Sequence, residues 1–155
     1  MEEKTLTELS KILDRKLFAS FPEWEKYAEF DDAEYDVNQK SLGLKIPSPA
    51  TDRHFLLILE RGDCIEVSFH DGNLGMIAER QMMCGQNNDN FCVEAAIEFL
   101  EEIVSEKVLI AKNHSSWLSR LIESKSLSFI KPAEIEEKKF ARIYSWQGNF
   151  NSSIS

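Results

Sequence analysis

Three histidines and three cysteines carry most of the specialised side-chain chemistry available to this 155-residue chain. His54, His70 and His114 stand at no spacing that sets two imidazoles on one metal, as HxxxH does along a helix. The pair His70-Asp71 resembles the His-Asp step of metal-dependent phosphohydrolases, but that chemistry requires a helical setting and further His and Asp ligands absent from the sequence. We therefore expect no metal and no cofactor. A Cys/His nucleophile needs a thiolate held beside an imidazole, and nothing in the placement of Cys64, Cys84 or Cys92 demands one. Cys64 in a hairpin strand and Cys92 at the head of an apolar helix read as small buried hydrophobes. Cys84, within Met82-Met83-Cys84-Gly85, has the least defined surroundings and is the thiol to alkylate first. The odd count and the lack of CxxC spacing favour a reducing compartment over a disulfide framework.

Other catalytic signatures are missing from the sequence. Serine hydrolysis of the GxSxG type and phosphate binding through GxxxxGK[ST] or GxGxxG find no matching segment. Acid/base work by paired carboxylates cannot be read out of 27 acids. Arg61-Gly62-Asp63 matches an integrin-recognition tripeptide, yet glycine is what a tight hairpin loop requires, so we read a turn. The chain is expected to be no enzyme. An alternative is a ligand or enzyme pocket on the polar face of a strand carrying Glu66, Ser68 and His70. A third is an adaptor subunit of a protein complex.

Charge gives the more directed signal. There are 18 basic and 27 acidic residues, a net charge of −9. Up to Glu106 the count is 10 basic against 23 acidic, and from Lys107 onward it reverses to 8 against 4. The densest stretch runs from Glu23 to Asp36, where seven acids face only Lys26 and alternate with Trp24, Tyr27, Phe30 and Tyr35. Carboxylates attract a basic partner at long range, and aromatic side chains anchor it on contact. Trp24, Tyr27, Glu29, Asp31, Asp32, Glu34, Tyr35 and Asp36 are the expected partner-binding residues. The plainer reading is a solvated helix end and loop with its aromatics turned inward. Nucleic acid is not an expected partner, because a net negative chain cannot displace phosphate counterions. Only the C-terminal third, with Trp117, Phe140, Tyr144 and Trp146, has the charge for it. An acidic protein can instead imitate a phosphate backbone and occupy the site of a nucleic-acid-binding protein.

The elements that must position these residues follow from periodicity. Thr5 and Glu8 form a capping box before Leu6, Leu9, Leu13 and Leu17, predicting a helix to about Ala19. Ser20-Phe21-Pro22-Glu23 repeats the start signal for a second, short helix carrying Trp24 and Tyr27, which Asp31-Asp32 ends. Leu42, Leu44 and Ile46 alternate as a strand up to Pro47. Arg53 to Glu60 and Cys64 to His70 predict a hairpin, its first strand apolar on both faces and central, its second with one dry face and one open polar face. Leu74 to Met83 is a further strand, ahead of a polar loop from Gly85 to Asn90. Asn90 caps a helix with Val93, Ala96, Ile97, Leu100, Ile103 and Val104 on one stripe. A short strand at Val108 to Ala111, a helix from Ser115 or Ser116 through Trp117 and Ile122, a charged segment from Pro132, and a strand within Lys139 to Trp146 complete the chain before a polar tail.

Separate runs of helices and hairpin strands argue for an α+β fold, an antiparallel sheet packed against helices in a single domain over residues 1–155. The longest apolar run, Phe55 to Leu59, is far short of the ~20 residues of a membrane helix, and the acidic start Met1-Glu2-Glu3-Lys4 has no apolar h-region. We expect a cytoplasmic protein with no membrane partner.

Several segments taken in order carry a family likeness. Phe21-Pro22-Glu23-Trp24 after an N-terminal helix, Leu44-Lys45-Ile46-Pro47-Ser48-Pro49, the hairpin strand Ile65-Glu66-Val67-Ser68-Phe69, the helix from Cys92 to Glu106 and the closing Arg142-Ile143-Tyr144-Ser145-Trp146-Gln147-Gly148 resemble small immunity proteins of bacterial polymorphic and contact-dependent toxin systems. The resemblance implies a compact, often acidic, non-enzymatic protein that binds a cognate toxin domain inside the producing cell; the chain's own charge leads us to expect a basic toxin domain, of the kind a nuclease presents.

Overall fold

The computed structural model describes residues 3–73, 75–84, 89–113, 127–133, 140–150 and 152–153. A two-residue strand β1 (Thr5–Leu6) leads into helix α1 (Glu8–Ser20). A six-residue 3-10 helix (Pro22–Tyr27) follows, then strands β2 (Ala28–Asp32), β3 (Gln39–Pro47), β4 (His54–Glu60), β5 (Cys64–Asp71) and β6 (Gly75–Met83). Helix α2 (Asp89–Val104) precedes β7 (Leu109–Asn113), β8 (Leu127–Ile130), β9 (Phe140–Tyr144) and β10 (Ser152–Ser153). The expected helix through Trp117 and Ile122, His114, and most of the Gly85 to Asn90 loop and the Pro132 segment lie outside the described residues.

The fold is α+β, with two sheets. In the larger one β3, β4, β5 and β6 form an antiparallel meander, with Leu44 opposite Ile58, Ile58 opposite Val67 and Leu56 opposite Phe69. The strictly alternating Leu42, Leu44 and Ile46 of β3 all turn to one face and are buried there. Leu9, Leu13 and Leu17 of α1, and the Val93, Ala96, Ile97, Leu100 and Ile103 stripe of α2, cover that face. β4 is central, as its two-sided apolar sequence requires. The smaller sheet runs β10-β9-β7-β8. Its Ile110, Phe129 and Tyr144 join the main core, while Leu109, Ala111, Ile130 and Ile143 form a second cluster on its other face.

Two features of the N-terminal region differ from expectation for a local reason. The helix cap is Thr7, not Thr5, its Oγ1 accepting from Ser10 N at 3.1 Å and donating to Glu60 at 2.6 Å. Thr5 is instead drawn into parallel pairing with Gln39 of β3. Beside β3, β1 ends where β4 has not yet begun, and in that gap the buried Ser10 hydroxyl accepts from Leu42 N at 2.8 Å. Ser20 closes α1 and caps nothing. The segment after it coils as a 3-10 helix with Phe21 in the cap position and no side-chain cap bond.

Candidate functional site

The acidic stretch from Glu23 to Asp36 is divided by the fold into an inward half and an outward half. In the 3-10 helix Trp24 stacks on Phe21, ring centroids 4.0 Å apart, and is 5% exposed, so it belongs to the core and does not project as an anchor. Tyr27 is half-buried, with the Lys26 ammonium 5.1 Å from its ring. The chain then becomes β2, a strand where Asp31-Asp32 were expected to break the structure. β2 pairs antiparallel with β3, Ala28 opposite Leu44 and Asp32 opposite Lys40. Pairing compensates for the poor strand propensity of Glu29-Phe30-Asp31-Asp32, and the charges suit an edge position.

Glu29, Phe30, Asp31 and Asp32 of β2 are exposed, and so are Glu34, Tyr35, Asp36 and Val37 in the loop that follows. Tyr35 is 71% and Val37 66% exposed, comparable with Phe91 in α2 and Met83 at the end of β6. Tyr35 is nevertheless placed: its ring lies over Gly62 in the β4–β5 turn, where a Cβ would fall 2.3 Å from a ring carbon. Gly62 has φ +92°, so Arg61-Gly62-Asp63 is a turn whose glycine is required twice, by its backbone and by Tyr35. Arg61 Nε sits 3.5 Å from Glu34 and 3.6 Å from Glu66, tying the loop to the hairpin. Lys4, 2.8 Å from Asp32, holds that carboxyl below the usual carboxylate range.

Beneath Tyr35 opens a pocket of about 330 Å³ lined by Glu8, Glu34, Asp36, Glu60 and Asp89. Among the described residues no three acidic, histidine or cysteine side chains converge closely enough for a metal ion. Spread carboxylates around an aromatic rim suit a basic side chain, either the compact lysine ammonium or the planar, delocalised arginine guanidinium. Glu29, Asp31, Asp32, Glu34, Tyr35 and Asp36 are all exposed along β2 and its following loop, with Glu29 and Asp31 on one face of the strand and Asp32 on the other. Phe30, on the same face of β2 as Asp32, and Val37 in the loop are exposed as well, Phe30 legible within the acidic run and Val37 without any signal in the sequence.

The polar face of β5 is less open than its alternation implies. Glu66 and Ser68 are buried between Leu59 and Leu57 of β4 and Gln81 and Glu79 of β6, with Arg61 3.6 Å from Glu66. Ser68 Oγ and His70 Nε2 are 2.8 Å apart. His70 stacks on Phe55 at 4.9 Å, and Lys45 lies over the same Phe55 ring. Burial lowers the His70 pKa, with Lys45 acting in the same direction and Glu66 and Glu79 opposing. Neutral His70 can accept from Ser68, a nucleophile–base contact in form, but Ser68 is 1% exposed and presents no oxygen to a substrate.

His54 lies opposite Asp71, Nε2 to Oδ2 3.1 Å, among Phe69 and Tyr144. The cysteines overturn the all-free expectation, and with it the argument from the cysteines for a reducing compartment. Cys84 and Cys92, eight positions apart, form a disulfide between the end of β6 and the first turn of α2, which the search for CxxC spacing passes over. Cys64 is free and buried, its thiol pushed up to about 11 by burial and by Asp63.

No helix among the described residues is long and apolar enough to cross a membrane. The chain matches no known family model, no curated protein and no solved structure.

Proposed function

We propose that the chain is an immunity-type inhibitor that binds a basic toxin domain in the cytoplasm of the producing cell and occludes its active surface. The carrying observation is the uncovered acidic and aromatic surface of β2 and its following loop, where Phe30, Tyr35 and Val37 stand exposed among Glu29, Asp31, Asp32, Glu34 and Asp36. Placed together, the acids steer a basic partner and the apolar groups exclude water at the centre of contact. The acidic pocket under Tyr35 gives one lysine or arginine of that partner a seat.

The test is growth of a host expressing the neighbouring reading frame, with and without this chain. Rescue of an arrested host is the expected result. Glu29→Lys with Asp31→Lys, both on the exposed edge, should abolish rescue while leaving the protein folded. A toxic neighbour that the wild-type chain does not relieve, or rescue indifferent to the double reversal, would remove this reading.

A further inference from the structure

The larger sheet ends at β2, and half of that strand's backbone is unused. On β3, Lys40 O accepts from Thr7 N and Leu42 N donates to Ser10 Oγ, so these two residues turn their backbone groups away from β2 and toward α1. The intervening Gln39, Ser41 and Gly43 therefore face β2, in keeping with the 2.9 Å bond from Ala33 N to Gln39 O. In register they meet Ala33, Asp31 and Glu29. That leaves the C=O of Ala28, both the N–H and the C=O of Phe30, and the N–H of Asp32 pointing out of the sheet. Among the described residues no strand pairs with that side, and no hydrogen bond engages those groups.

The side chains of this edge alternate in the same way. Phe30 lies opposite the buried Leu42 on the helix-covered face, yet it is 41% exposed, because no further strand covers its far side. Glu29 and Asp31 stand on the other face, opposite Gly43 and Ser41. They are also the uncompensated acids of the strand. Asp32 has Lys4 and Lys40, and Glu34 has Arg61, whereas neither Glu29 nor Asp31 has an ion-pair partner among the described residues. A segment that completes this edge is extended, to meet the outward N–H and C=O groups. It is apolar on the face it shares with Phe30 and basic on the face it shares with Glu29 and Asp31. A second copy of this chain does not fit, since its own β2 would set carboxylates beside carboxylates. We infer that the basic partner binds by adding a strand to β2, through an extended segment in which lysine or arginine alternates with apolar residues. That mode of contact rests on the reading of this surface as the partner's site, and adds to it the partner's sequence pattern.

The experiment follows backbone amide exchange in the ¹⁵N-labelled full chain with the acetylated and amidated peptide Lys-Val-Lys-Val-Lys at millimolar concentration. Bound peptide should slow exchange at Phe30 and Asp32 and leave Glu29 and Asp31, already bonded to β3, unchanged. The same composition in the order Lys-Lys-Val-Val-Lys should not protect them. N-methylation of both valines removes the N–H groups aimed at β2 and keeps the charge, and it should weaken binding about tenfold or more. Glu29→Lys with Asp31→Lys should lose the lysine peptide and gain Glu-Val-Glu-Val-Glu, with the same two amides protected. Binding that leaves Phe30 and Asp32 unprotected, or equal binding of the reordered or N-methylated peptide, would mean attraction by charge alone. Either result would overturn strand addition and leave the acidic surface as the partner's site. No binding of the alternating peptide at millimolar concentration would overturn it as well. The wider reading is decided separately, by whether the double charge reversal abolishes host rescue.

Discussion

His70 shows how one side chain reports its surroundings. Its ring lies on Phe55, bonded to Ser68, and burial lowers its pKa from the ordinary value of 6.5. The unfolded chain then takes up this proton at higher pH than the folded chain. Stability is therefore full above the ordinary value and falls as the pH drops from there toward the folded pKa. Wild-type protein should show a lower urea midpoint at about pH 5.5 than at neutrality, and His70→Gln should lose that part of the slope. An identical pH dependence in both proteins would place the proton elsewhere. The sequence identifies His70 as part of a polar strand face, but not that Glu66 and Ser68 on that face are buried, because alternation gives the direction of a side chain and not what lies above it.

At the scale of elements, the disulfide and the edge strand are the informative cases. Cys84–Cys92 closes a short loop between β6 and α2, and the chain-entropy model assigns such a loop about 2 to 3 kcal/mol. Cys84→Ser should lower stability by about that amount in oxidising buffer and by little in reducing buffer. Thiol counting checks the same feature. Denatured, unreduced protein should release one reactive thiol, from Cys64, and reduced protein three. Three thiols without reductant would remove the bond. Helix α2, the β4–β5 hairpin and the Leu42, Leu44 and Ile46 strand are legible in the sequence because a buried face imposes its period on them. β1 and β2 are not: Thr5-Leu6 is too short for a period, and Ala28 to Asp32 is polar because it sits on an edge whose partner, β3, supplies the apolar side. β8 is equally silent, its four residues being defined by the neighbour they pair with. The division of strands between two sheets is likewise a matter of pairing at a distance, which local pattern does not encode.

The whole molecule is organised by charge. The excess of acids lies in the portion up to Glu106, and its uncovered concentration is the β2 edge with the loop to Val37. Trp24 illustrates the limit of reading such a surface from composition, since an aromatic among carboxylates can as well face the core as the solvent, and its direction depends on the 3-10 turn. In the proposed complex the exposed acids act over distance, so their contribution belongs to the rate of encounter more than to the lifetime of the pair. Salt shortens that reach to about 10 Å at 0.1 M. For the proposed basic partner, the association rate should fall about tenfold or more between low and roughly molar salt, with a smaller change in dissociation. Glu29→Lys with Asp31→Lys should reproduce much of that loss at low salt and flatten the remaining salt dependence. Stopped-flow association at several salt concentrations measures both. A rate independent of salt would mean that Phe30, Tyr35 and Val37 find their partner without guidance, and the acids of β2 would then serve only to keep an exposed strand edge from pairing with other chains.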